Sequence, residues 1–229
     1  MNIMKKYKKK FNMFKAIIGK DDPIILEIGA HFGEDSMRFA EAFPKATIHC
    51  FEPDPRCIEI FKKHVKNDRI KLHEIALSSV EGELEFYQSY NDQESETPEK
   101  YDWISDEDYK DLKLGNSGSS SLKKGYDKNL KETIRVKALT YDKWAETNNI
   151  NNVDLAWIDV QGAEKEVLDG MSNKIKHIKL MWIEFGELQY EGALTREETI
   201  KYMKSRGFKT IEHFSSKGSS GDLLFKRLD

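Results

Sequence analysis

The chain has 229 residues, enough for one α/β domain with a full core and too few for two of ordinary size. With 38% hydrophobic and 11% aromatic residues it can bury enough surface to fold, which excludes global disorder. The 37 Lys and Arg against 40 Asp and Glu argue against a chain that mainly grips phosphate backbones, so no nucleic-acid partner is expected. No run of apolar residues is long enough for a transmembrane helix, so no stable membrane insertion is expected. Two cysteines, Cys50 and Cys57, make neither a disulfide framework nor a zinc site. They fit a reducing compartment, and the basic N-terminus lacks a signal-peptide core, so the expected location is cytoplasmic.

In chain order, residues 1–22 read as a basic leader. Seven lysines and no acid fall in residues 1–20, with Tyr7, Phe11, Phe14 and Ile18 near helical spacing. The expectation is an amphipathic helix covering one edge of the domain, the alternative being a helix that docks on a membrane or partner. From Pro23 strands and helices alternate. Strands are expected at 24–28, 46–51 and 70–75, and helices at 34–43 and 55–66, the second opening on Pro55 where the missing N–H costs nothing. This is the first half of a doubly wound sheet.

Residues 83–87 read as a further strand. The segment 91–125 has little apolar periodicity. Its part 91–114 holds nine acids against three lysines, net −6, and a Gly-Asn-Ser-Gly-Ser-Ser-Ser run follows at 115–121. A polar loop of this length suggests a lid inserted in the domain. Strands are expected at 133–139, 154–159 and 178–185, and helices at 141–147, 163–171 and 195–206, the last opening on the capping box Thr195-Arg196-Glu197-Glu198. Strands 208–214 and 222–228 close the chain as an antiparallel hairpin at a sheet edge.

The chemistry gathers at strand ends. Leu26-Glu27-Ile28-Gly29-Ala30-His31-Phe32-Gly33 leaves the first strand and opens the first helix of the sheet, the place where open α/β sheets bind ligands. Its G-x-x-x-G spacing is not the dinucleotide fingerprint. Glu52 ends the second strand 23 residues after Gly29, where an acid can accept two hydrogen bonds from a ribose diol. Asp159, in Trp157-Ile158-Asp159-Val160-Gln161-Gly162-Ala163-Glu164, and Glu184, in Trp182-Ile183-Glu184-Phe185, end neighbouring strands. Such a carboxylate pair could bind a divalent cation such as magnesium or act on a hydroxyl proton. His31 is the remaining acid–base candidate. Ser120 and Ser121 could order on a substrate, and Tyr101, Trp103 and Tyr109 could stack on a sugar ring.

Taken as an ordered set, Ile25–Gly33, Phe51-Glu52-Pro53-Asp54-Pro55, Ser119–Leu122, Leu139–Asp142 and Ile158–Glu164 resemble the FkbM family of S-adenosylmethionine-dependent methyltransferases, over about residues 23–190. The resemblance implies a class I methyltransferase, an α/β domain with a seven-stranded, mostly parallel sheet and a C-terminal antiparallel hairpin. It also implies O-methylation of sugars, polyketides or other small hydroxylated acceptors. By position, Glu27, Gly29, Ala30, His31 and Gly33 would surround the cofactor's amino-acid part and Glu52 its ribose. Ala76, with Ile75 and Leu77, would border the adenine, and Asp159 would lie near the methionine end and the acceptor. The family commonly has Glu where this chain has Gln161, and Leu-Asp where it has Thr140-Tyr141-Asp142, which shifts an acid by one residue, so no carboxylate role falls at 161 and none is given to Asp142. Two other readings share the turn and the acid: an NAD-dependent dehydrogenase or epimerase, and a non-catalytic nucleoside-binding module.

Overall fold

The structure, a computed structural model, describes residues 3–89, 117–125, 130–186, 189–215 and 220–228. Helix α1 (Ile3–Ile18) precedes β1 (Ile24–Ile28), α2 (Glu34–Ala42), β2 (Thr47–Phe51), α3 (Pro55–His64) and β3 (Ile70–His73). Three further strands, β4 (Ala76–Leu77), β5 (Gly82–Ser89) and β6 (Leu130–Leu139), follow before α4 (Tyr141–Thr147) and β7 (Val153–Ile158). The chain closes with α5 (Glu164–Asp169), β8 (Ile178–Gly186), α6 (Arg196–Ser205), β9 (Phe208–Ser215) and β10 (Ser220–Arg227).

Seven strands form one sheet in the order β3-β2-β1-β7-β8-β10-β9, parallel except that β10 is antiparallel to both β8 and β9. This is the expected fold class. Parallel strands covered on both faces need apolar residues on both, and β1 and β7 are almost wholly buried. Alternate residues divide between two cores: Leu26, Ile28, Ala156, Ile158, Met181 and Ile183 on one face, Ile25, Leu155, Trp157, Leu180 and Trp182 on the other. Strand β1 lies between β2 and β7, so the switch point falls at the C-terminal end of β1, where the glycine turn leaves it.

Two expectations need correction. The third strand stops at His73, not Ile75. The chain turns there, with Ile75 N–H donating to His73 O at 2.9 Å, and β4 joins a second, three-stranded sheet in the order β4-β6-β5. The expected strands 83–87 and 133–139 are the antiparallel pair of that small sheet. Helix α1, moreover, does not cover an edge. Phe11, Phe14 and Ile18 are buried in the core over the central strands, with Phe14 edge-on to Trp157 and Trp182 at 6.5 and 5.7 Å between ring centroids. Phe14→Ala should therefore cost about 3–5 kcal/mol of stability. Urea unfolding measures this, and a loss below about 1 kcal/mol would make the helix a loosely attached leader.

Of the expected lid, residues 91–116 lie outside the described residues, and with them Tyr101, Trp103 and Tyr109. The stretch 117–125 is tied down: Ser121 exchanges backbone hydrogen bonds with Tyr87, and Gly125 bridges to Tyr190. The N-caps Asp54, Thr140 and Thr195 each accept a backbone N–H, and Thr195 with Glu198 completes the expected capping box. His49 is a core pairing residue, its Nδ1 3.0 Å from Nε2 of the stacked His73.

Candidate active site

A cavity of ≈ 260 Å³ opens at the switch point. Its floor is the turn after β1. Gly29 has φ +90°, and a Cβ there would stand 1.8 Å from the backbone oxygen of Asp159. Only glycine lets β1 and the end of β7 come this close. The amides of Gly29 and Ala30 both donate to Phe51 O at 3.0 Å, folding the turn over the end of β2. His31 and Gln161, both facing the cavity, are non-glycine residues with φ +50° and +55°. Strained backbone of this kind gathers at ligand sites.

Glu52 is buried at the cavity wall. It accepts from the His31 amide through Oε2 and the Asp54 amide through Oε1, each at 2.8 Å. Burial lifts its carboxyl to about 7 against the pull of these two donors. Ribose hydroxyls donating to Glu52 favour the ionised form. If Glu52 takes the ribose, binding at acid pH requires it to lose a proton first. Affinity for S-adenosylhomocysteine should then weaken as pH falls below about 7, by up to about tenfold per unit. Titration calorimetry should show this slope in the native protein and flatten it in Glu52→Gln. A flat native profile would remove Glu52 from the ribose site.

Glu27, beside the turn, is buried and accepts from the Ser36 hydroxyl. Burial and then the Asp35 charge raise its carboxyl well above the usual range. His31 pairs through Nδ1 with Glu34 Oε1 at 2.8 Å. Burial opposes both charges, but their attraction wins: His31 is held well above and Glu34 below its ordinary value. This pairing turns Nδ1 toward Glu34 and favours the charged imidazole, so His31 is a less suitable proton acceptor than Asp159. Gly33 caps α2 at φ +92° against Phe61 and Val65, supporting the turn from behind.

Opposite lies an apolar wall of Phe51, Ile75, Ala76, Leu77, Phe86 and Leu122. Phe86 and Leu122 come from the second sheet and the 117–125 stretch, and only Ala76 and its two neighbours were expected. Ser120 also lines the cavity. Its hydroxyl accepts from the Ser89 amide at 3.0 Å and lies 3.2 Å from Arg56, which also clasps the buried Asp54. Ser121 is different. It is buried off the cavity, its hydroxyl donating to Val160 O and accepting from the Lys123 amide, so of these two serines only Ser120 lines the cavity.

Asp159 lines the cavity, and Glu184 stands behind it. The Gln161 amide joins them, donating to Asp159 Oδ1 at 2.7 Å and Glu184 Oε2 at 2.9 Å. Tyr190 holds Gln161 from the far side, its hydroxyl 3.1 Å from Oε1. Burial and the adjacent Asp159 push the Glu184 carboxyl far above the usual range, which favours its protonated form. The expected divalent site does not form. An amide N–H₂ fills the gap between the two acids, and no group of three or more His, Cys, Asp or Glu among the described residues is placed to hold a metal.

The Methyltransferase FkbM domain model matches residues 27–210, and the chain belongs to this family of S-adenosylmethionine-dependent methyltransferases. It is 30% identical over 218 residues to 2-O-methyltransferase NoeI of Sinorhizobium fredii (strain NBRC 101917 / NGR234), covering 92% of this chain and 82% of that protein. It is 25% identical over 165 residues to methyltransferase sdnD of Sordaria araneosa, covering 67% of this chain and 62% of that one. The fold resembles a methyltransferase FkbM from Methylobacillus flagellatus KT, with TM-score 0.54, 11% identity and 90% of this chain covered, though only 44% of that longer one. A putative rRNA-methylase from Clostridium thermocellum superposes over the whole chain at TM-score 0.54 and 8% identity.

The cavity's residues fit the family's cofactor. They offer a tight glycine turn at the end of β1, the buried carboxyl of Glu52 that could accept from a ribose, an apolar wall that could take an adenine, and further acids that suit a cationic ligand. The family also decides against the dehydrogenase and binding-module readings. Tyr109 and Lys113 do stand at Tyr-x-x-x-Lys spacing, outside the described residues, but the dinucleotide glycines are absent.

Proposed function

We propose that the protein transfers the methyl group to a hydroxyl of a sugar, glycan or other small neutral polyol, and that Asp159 is the base. The observation that carries this is the Asp159–Gln161–Glu184 cluster at adjacent strand ends, with Asp159 facing the cofactor cavity. The cofactor supplies an activated methyl group, so the protein's part is to position the acceptor and remove its proton. Glu184, in its favoured protonated form, and the Gln161 amide keep the Asp159 carboxylate aimed at the cavity. An alcohol donating to that carboxylate loses its proton as its oxygen attacks. The likeness to a named 2-O-methyltransferase supports an oxygen acceptor. The acids around the cavity, Glu27, Glu34, Asp35 and Glu52, favour a neutral acceptor over a nucleic acid.

The test is a panel of monosaccharides, oligosaccharides, hydroxylated macrolides and a structured RNA, read by mass spectrometry of the products. Methyl ethers of a sugar or polyol bear the reading out. Methylated RNA alone, or methyl esters or amines, would overturn it.

A further inference from the structure

The Gln161 amide meets two carboxyls with its N–H₂, 2.7 Å from Asp159 Oδ1 and 2.9 Å from Glu184 Oε2. More acids crowd the same strand ends. Asp222 on β10 lies in register with Glu184, and Glu164 accepts the Val160 and Gly162 amides of the turn that bears Gln161. Among so many acceptors the sense of the amide matters. Its two ends have nearly the same shape, but one donates and the other accepts. Turned by half a rotation, it would set its oxygen against the Asp159 carboxylate and disfavour the ionised form.

The hydroxyl of Tyr190 opposes that rotation, donating to Gln161 Oε1 at 3.1 Å. It also donates to Ser119 O at 2.9 Å, so one proton serves an acceptor on the turn and another on the stretch 117–125. Gly118, Ser120 and Leu122 of that stretch line the cavity. Its far end is anchored at the same place: Gly125 bridges to Tyr190, and the Glu191 amide donates to Lys124 O at 2.9 Å. Tyr190 is buried, and a Cβ on Gly162 would stand 2.4 Å from its own Cβ, so the ring is seated against the turn. Burial lifts the hydroxyl to about 12, and it keeps its proton at neutral pH.

We propose that Tyr190 is a positioning residue for methyl transfer: through one shared proton it holds the Gln161 amide with its N–H₂ toward Asp159 and fastens that arrangement to the stretch bordering the cavity. Tyr190 does not itself line the cavity, so it acts through Gln161, which does. The inference rests on the reading of Asp159 as the base.

The test needs no acceptor. Carbon NMR of the full chain, labelled at aspartate carboxyls and assigned with Asp159→Asn, follows the Asp159 titration with pH. Tyr190→Phe removes the hydroxyl and keeps the ring. The Asp159 titration should move up by about one pH unit, the worth of one hydrogen bond to a charged group, while affinity for S-adenosylhomocysteine stays within about twofold. In a Gln161→Met background, Tyr190→Phe should move it no further. An unmoved titration overturns the proposal. So does an equal shift in both backgrounds, since Tyr190 would then act by packing and not through the amide. In the native chain the Gln161 side-chain N–H₂ resonances should follow the Asp159 titration, and their indifference overturns the proposal even where Tyr190→Phe does not fold. Near-native turnover in Asp159→Asn, by contrast, removes the base itself, so the two failures are told apart.

Discussion

Asp159→Asn is expected to lower turnover by about a hundred- to ten-thousandfold, the range general-base assistance supplies, with cofactor affinity largely kept. The substitution preserves shape and the contact with Gln161 while removing the proton acceptor that faces the cavity. Glu184→Gln should lose much less, because the Glu184 carboxyl favours its protonated form and an amide imitates it. Steady-state rates of methyl ether formation decide the matter. Near-native turnover in Asp159→Asn would end the base assignment, and a larger loss at Glu184 than at Asp159 would reverse the two roles.

Gly29→Ala should be the most damaging small substitution. The added methyl would stand 1.8 Å from a backbone oxygen, a contact no side-chain rotation relieves, in a backbone region that L residues avoid. We expect a loss of about 3–5 kcal/mol, with binding of S-adenosylhomocysteine abolished in whatever folds. Chemical unfolding and calorimetry check both. A stable variant that still binds would show that β1 and β7 can separate without harm to the cavity. Gly33→Ala meets side-chain atoms of Phe61 and Val65 at 2.6–3.0 Å instead of backbone, and these can give way where a backbone oxygen cannot, so its cost should be smaller though still marked at φ +92°.

The parts of this site that lie at strand ends were legible in the sequence because a parallel sheet places them there. A buried apolar strand followed by Gly29 or Asp159 can deliver that residue only to the switch-point crevice. Glu52 was legible for the same reason. What the sequence hid is pairing. Nothing in residues 76–77, 82–89 and 130–139 announces that they form a separate sheet, because a two-residue strand has no periodicity to read. Phe86 and Leu122 were missed as cavity walls in consequence. The leader was misplaced because its lysines dominate its composition, whereas Phe11, Phe14 and Ile18 decide where it packs. Spacing alone also cannot tell a metal pair from an amide-bridged one. Gln161 makes that difference, and its departure from the usual glutamate was the visible signal.

Everything proposed for this site depends on the cavity at the end of β1 holding the cofactor through Glu52. Calorimetric titration of S-adenosylhomocysteine into the full chain at neutral pH, native beside Glu52→Ala, tests it most directly. One site is expected in the native protein and a loss of about 1.5–3 kcal/mol in the variant, since a charged acceptor of two hydrogen bonds is removed. Equal affinity in native and variant, with both folded, would contradict it.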